Sequence, residues 1–131
     1  MRARKVAKID TNERRIFFSD GKTTKFDNLI LATGAAPRRL DLKGADLKGI
    51  HYLRDLGDSA RLRQALRRPE CRDVVIVGAG VIGLEVASAA IDSGKAVTII
   101  EVGGRAMARV ASPAATNFIT EKLSDAGVRF M

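Results

Sequence analysis

Three glycines at fixed spacing constrain this chain more than any other feature. They stand in Gly78-Ala79-Gly80-Val81-Ile82-Gly83, directly after the apolar run Asp73-Val74-Val75-Ile76-Val77. A stretch with Gly83, Ala87 and Ile91 at helical spacing follows, with Gly94 as its stop. A lone G-x-G-x-x-G says little. Here it joins a buried strand to a helix, and an acidic residue, Glu101, ends the next apolar run, Ala96-Val97-Thr98-Ile99-Ile100. Together these make the dinucleotide fingerprint. Gly78 permits the tight turn, Gly80 lets the backbone approach a pyrophosphate, and Gly83 lets the helix lie close on the strands. Ala79, Val81 and Ile82 supply the backbone between them, and the helix start offers N–H groups and partial positive charge to phosphates. Glu101 can accept hydrogen bonds from both ribose hydroxyls. Packing alone would explain Gly83 but neither Gly78 nor Gly80. A carboxylate at 101 repels a 2′-phosphate and so favours NAD over NADP. Arg105 and Arg109, just beyond, weaken that preference, because arginines pair with phosphate.

The pattern around the fingerprint is strand alternating with helix. Ser112 and Pro113 open a helix by the N-cap and first-turn proline preferences, with a stripe of Ala115, Ile119, Leu123 and Ala126 before Gly127. Val128-Arg129-Phe130 begins one more strand. Strand, helix, strand, helix, strand implies a parallel sheet with right-handed crossovers. Before residue 73 the chain reads differently. Residues 2–33 look like short strands and turns: one around Val6 and Ile9, one at Arg15-Ile16-Phe17-Phe18, and a hairpin-type turn at Asp20-Gly21. Leu29-Ile30-Leu31-Ala32 has the unbroken apolar pattern of a strand buried on both faces, ended by Thr33-Gly34. A connecting segment leads to a helix from about Asp58, an acceptable N-cap, carrying Leu62, Ala65 and Leu66 and stopping before Pro69.

Composition removes other classes. The chain has 131 residues, 46% hydrophobic and 29% charged, the ordinary balance of a soluble globular domain rather than of disorder or a disulfide scaffold. The longest apolar run, Val74 to Leu84, is interrupted by three glycines. It falls short of the ~20 residues a bilayer requires, so no membrane role is expected. Met1, Arg2, Arg4 and Lys5 lead into no apolar signal region, and the lone Cys71 cannot form an internal disulfide. A cytoplasmic location is the expectation. His51 is the only histidine, so neither a hydrolytic triad nor a His/Cys metal site is supported. The formal net charge of +8 comes from basic residues scattered in pairs and not interleaved with aromatics, which argues against nucleic acid. It is read as solvated surface or as attraction to an acidic protein or phosphates. Glu85 is either an exposed first-turn carboxylate or a functional group.

Several segments in register resemble one family. Leu29 to Arg38, then His51-Tyr52-Leu53-Arg54, then Val75 through Gly83-Leu84-Glu85-Val86-Ala87 are similar to the FAD-dependent pyridine nucleotide–disulfide oxidoreductases, and most to their ferredoxin reductase branch. Met107-Ala108-Arg109-Val110 with Ser112-Pro113 resembles the stretch after the second NAD-domain strand in that branch. The resemblance implies an α/β fold: a Rossmann-type, three-layer parallel sheet with a small N-terminal β segment from a split FAD domain. On that reading residues 1–38 end a first FAD-binding segment, 39–72 connect, and 73–131 open an NAD-binding domain. The chain is thus expected to be an internal slice of an NADH-dependent FAD reductase that passes electrons to an acidic ferredoxin-type protein, inactive on its own. The resemblance implies that Val6, Thr33, Gly34 and Arg54 meet FAD, that Glu85 lies near the nicotinamide and flavin, and that Glu101 and Arg109 contact the NAD adenosine ribose. Alternatives are an NADH oxidase, a nitrite reductase flavoprotein subunit, a non-catalytic nucleotide-binding module or a basic interaction domain.

Overall fold

A computed structural model describes residues 4–131, which divide into one unit ending at Ala36 and another spanning Pro37–Met131. The first unit is an antiparallel meander of β1 (Val6–Asp10), β2 (Arg15–Phe18) and β3 (Thr23–Lys25), in that spatial order. Ile9 pairs with Ile16 and Ile16 with Thr24, and a bulge interrupts β1 between Val6 and Lys8. Asp10 closes the first turn by accepting the N–H groups of Asn12 and Glu13.

The expected strand at Leu29–Ala32 does not form. These residues are irregular, with Ile30 88% and Leu31 68% exposed. A strand requires neighbours for its backbone and cover for its side chains, and the meander provides neither. Apolar content alone predicted it.

In the second unit, α1 (Leu56–Leu66) precedes β4 (Asp73–Val77), α2 (Val81–Asp92), β5 (Ala96–Ile100), α3 (Pro113–Asp125) and β6 (Arg129–Phe130). The helix start expected at Asp58 lies three residues earlier. Asp55 is the N-cap, accepting from Asp58 N–H at 2.8 Å, while the Asp58 carboxylate accepts from Asp55 N–H at 3.2 Å. This reciprocal capping box uses both aspartates, so Asp58 is its inner member rather than the cap.

The strands are parallel in the order β4-β5-β6, with Val74 beside Val97 and Ile76 beside Ile99. Consecutive parallel neighbours joined by right-handed crossovers put α2 and α3 on one face. That face is the core: Ile99 and Val97 are fully buried, under Leu84, Ala87 and Ala90 of α2. Burying each branched side chain contributes about 1.5–3 kcal/mol. On the opposite face Val75 and Val77 are 62% and 59% exposed, so β4 is covered on one side and not on both. The helical stripe of α3 also differs from the expected one. Thr116 is its buried residue, with Ile119 and Leu123 half-buried against the core, while Ala115 and Ala126 are exposed. Among the described residues no helix is long and apolar enough to cross a membrane.

Candidate nucleotide site at the ends of the parallel strands

The carboxyl ends of β4 and β5 converge on the glycine turn. Gly78 takes φ +104°, a backbone region costly for any L side chain, while its N–H donates to Ile100 O at 2.8 Å. The chain therefore leaves β4 abruptly and turns into α2. Gly83 lies in the first turn of α2 against that bend: a Cβ there would clash with the Gly78 carbonyl oxygen. Gly80 differs from both. It is the N-cap of α2 with an ordinary extended backbone, and a Cβ added there would meet nothing within 4 Å. No contact among the described residues requires glycine at 80.

Helix α2 starts without a side-chain cap, whereas Asp55 caps α1 and Ser112 caps α3. The first residue to bond back within α2 is Leu84, whose N–H donates to Gly80 O at 3.0 Å. The amides before it form a helix N-terminus with its partial positive charge and no side-chain cap. An anion can approach this backbone closely.

Glu101 follows β5, and its carboxylate is already engaged. Oε1 accepts from Gly103 N–H and Oε2 from Ala79 N–H, both at 2.7 Å. These two bonds, with the nearby charge of Arg109, hold the carboxyl below its usual range against the opposing push of desolvation. An ionised carboxylate has about four lone-pair sites, so acceptor capacity remains for a ribose hydroxyl. The donor set fits a pyridine dinucleotide: an uncapped helix start, an open position at Gly80 and an ionised acceptor beside it. Beyond the turn, a pocket of ≈ 420 Å³ is lined by Glu101, Gly103, Arg105, Asn117, Thr120 and Met131, among others.

The structure gathers some expected site residues and not others. Gly78, Ala79, Gly80, Val81, Ile82, Gly83, Glu101 and Arg109 line one continuous groove of the second unit. Glu85 is exposed on α2 and lies outside that lining. Arg105 is not a free cation beside the ribose, because its guanidinium donates to Ala111 O at 2.9 Å, Thr116 Oγ1 at 2.8 Å and Ala108 O at 3.0 Å. Spacing alone shows a charge at 105 but not its direction. Val6 lies on β1, and Thr33 and Gly34 in the irregular stretch of the first unit, all of them exposed. Arg54 belongs to the second unit, where its backbone N–H donates to Asp58 Oδ2 at 2.9 Å. Among the described residues no helix other than α2 opens from a glycine turn, so a second dinucleotide pyrophosphate, that of FAD, finds no such cradle here. No group of three or more His, Cys, Asp or Glu able to hold a metal occurs among them either.

The chain is similar to known proteins over nearly its whole length. The chain is 46% identical over 125 residues to a rubredoxin–NAD(+) reductase of Pseudomonas putida, covering 95% of this chain and 32% of that one. It is 44% identical over 126 residues to the ferredoxin–NAD(+) reductase component of the biphenyl dioxygenase system of Paraburkholderia xenovorans, covering 96% and 30%. Among solved structures, the ferredoxin reductase for the CYP199A2 system from Rhodopseudomonas palustris matches with a TM-score of 0.81 and 37% identity, over 98% of this chain and 31% of that one. The chain thus spans about a third of the length of these relatives. A family model matches residues 1–131 throughout, and on that match, with the strand–turn–helix it covers, the chain belongs to the pyridine nucleotide-disulphide oxidoreductase family.

Proposed function

We propose that this chain is the pyridine-nucleotide-binding part of an NADH-dependent, FAD-containing reductase that passes electrons to a ferredoxin-type protein. The observation that carries the reading is Gly80: glycine stands where no contact among the described residues requires it, at an uncapped helix start. The names of the relatives support the rest. They are reductases of rubredoxin and ferredoxin with NAD(+), and one structural neighbour is the covalent putidaredoxin reductase–putidaredoxin complex, at a TM-score of 0.76 and 31% identity. Residues 1–38 are assigned to a FAD-binding segment, 39–72 to a connection and 73–131 to the front of an NAD-binding domain.

When bound, the nicotinamide supplies a hydride for transfer to flavin. The chain's own residues bind and orient. The backbone from Gly78 to Gly83 holds the pyrophosphate, and Glu101 takes a ribose hydroxyl with its remaining acceptor capacity. The charge on Glu101 disfavours a 2′-phosphate, leaving Arg109 as the nearby cation. Glu85, Val6, Thr33, Gly34 and Arg54 are assigned to the nicotinamide and FAD contacts through the resemblance. The net charge of +8 suits an acidic electron acceptor.

The test is a titration of the purified chain with NADH, followed by a dye-reduction assay with added FAD. Saturable NADH binding without dye reduction is the expected result. Robust dye reduction by this chain alone contradicts its being one part of a longer reductase, and absence of NADH binding contradicts the site.

A further inference from the structure

The loop between β5 and α3 reaches back to the glycine turn and closes on it. Ala79, the second residue of the turn, is fully buried, and residues of this loop satisfy both of its backbone polar groups. Its N–H donates to Glu101, and its carbonyl accepts from Met107 N–H at 2.9 Å. Met107 makes that bond from a left-handed backbone at φ +47°, a conformation a methionine holds only where its surroundings impose it.

Arg105 holds the residues that follow Met107. Nη1 donates to Ala111 O and to Thr116 Oγ1, and Nη2 donates to Ala108 O, so one planar group fastens both the far side of the loop and the start of α3. Thr116 is 1% exposed, the only buried polar residue among the described ones, and its hydroxyl donates onward to Ser112 O at 2.6 Å. The carbonyl of Met107 accepts from Val110 and Ala111 N–H at 2.9 and 3.0 Å. Residues 107–111 therefore curl around the guanidinium, and the Met107 N–H is turned towards Ala79.

We propose that Arg105 is a positioning residue for nucleotide binding: by bracing this loop it keeps the Met107 N–H on the Ala79 carbonyl, fixes the shape of the glycine turn, and takes no part in the charge contacts that separate NADH from NADPH. The proposal rests on the reading of the glycine turn as the nucleotide site. Three of the five guanidinium donors are committed to the loop and α3. A lysine at 105 keeps the charge but cannot supply the forked geometry.

Two measurements on the whole chain test this. The first is amide hydrogen exchange without nucleotide, on the wild type, Arg105→Lys and Thr116→Val. In both variants the Met107 amide is expected to exchange at least about tenfold faster, as loss of one hydrogen bond to a charged group implies, while amides within β5 keep their protection. Thr116→Ser, which retains the hydroxyl, is expected to behave as wild type. The second is a pair of titrations with NADH and NADPH. Arg105→Lys is expected to weaken both by about tenfold and to leave their ratio unchanged. Unchanged Met107 exchange in Thr116→Val overturns the proposal, as does a selective loss of NADPH in Arg105→Gln that Arg105→Lys restores. If the wild type binds neither nucleotide, the nucleotide-site reading fails and this proposal with it. If it binds and Met107 exchange does not move, the proposal alone fails.

Discussion

The Ala79 N–H donates to Glu101 Oε2 at 2.7 Å, so the carboxylate that ends the second parallel strand is bonded to the glycine turn that ends the first. The residue expected to read the ribose also holds the backbone on which the pyrophosphate would rest. Substitution at 101 therefore perturbs two contacts at once, and an alanine there would confound ribose recognition with loss of the turn. Glutamine, which keeps one acceptor oxygen, is the better probe.

Glu101→Gln is expected to weaken NADH binding by about tenfold and to destabilise the chain by about 1–2 kcal/mol at neutral pH, the figure for a charge-assisted bond discounted for partial exposure. The stability loss has a pH signature. The Glu101 carboxyl is depressed in the folded chain. Its contribution is thus fully present above the unfolded glutamate value, about 4.3, and disappears as pH falls through the lower folded one. Urea titrations from about pH 7 to about pH 3 should show the gap between wild type and variant closing as the pH falls. A gap that widens on acidification would contradict the assignment.

Gly83→Ala is expected to cost about 3 kcal/mol or more, because the added methyl meets the Gly78 carbonyl and neither backbone can yield without lifting α2 from β4. Thermal or urea unfolding reads this directly. A change below about 1 kcal/mol would show that α2 does not lie so close.

Asp55→Ala is expected to cost about 1 kcal/mol, since it removes the oxygen that accepts Asp58 N–H and leaves half of the capping box. Hydrogen exchange should show the loss confined to α1. Asp58→Ala is expected to act in the same direction, because its carboxylate holds the Asp55 and Arg54 amides and pairs with Arg61 at 2.5 Å.

Much of the parallel unit was legible because its signals are local. Spacing alone marks Gly78 and Gly83, and Ser112-Pro113 marks α3 at its observed start. The errors share a physical cause: each turns on which partner a residue meets, and residue type and spacing do not give that. Leu29–Ala32 has the composition of a strand, but strands exist only in pairs, and none of the described residues of the first unit pairs with it. Asp55 and Asp58 are equally good caps by type, and only the reciprocal bonds decide between them. Arg105 carried a charge signal that pointed to phosphate, while its fork is turned inward onto Thr116. Gly80 is the converse, since its significance lies in the contacts it does not make.

The most direct test of the nucleotide site is Gly80→Ser, with NADH affinity and thermal stability measured on the same sample. A serine at this N-cap can accept a hydrogen bond from the first-turn amides of α2, so the unfolding midpoint should hold or rise. The same side chain fills the space that Gly80 leaves open, so NADH binding should fall by at least about tenfold. Unchanged NADH affinity in a stably folded Gly80→Ser chain would contradict the claim that the pyrophosphate rests on this turn.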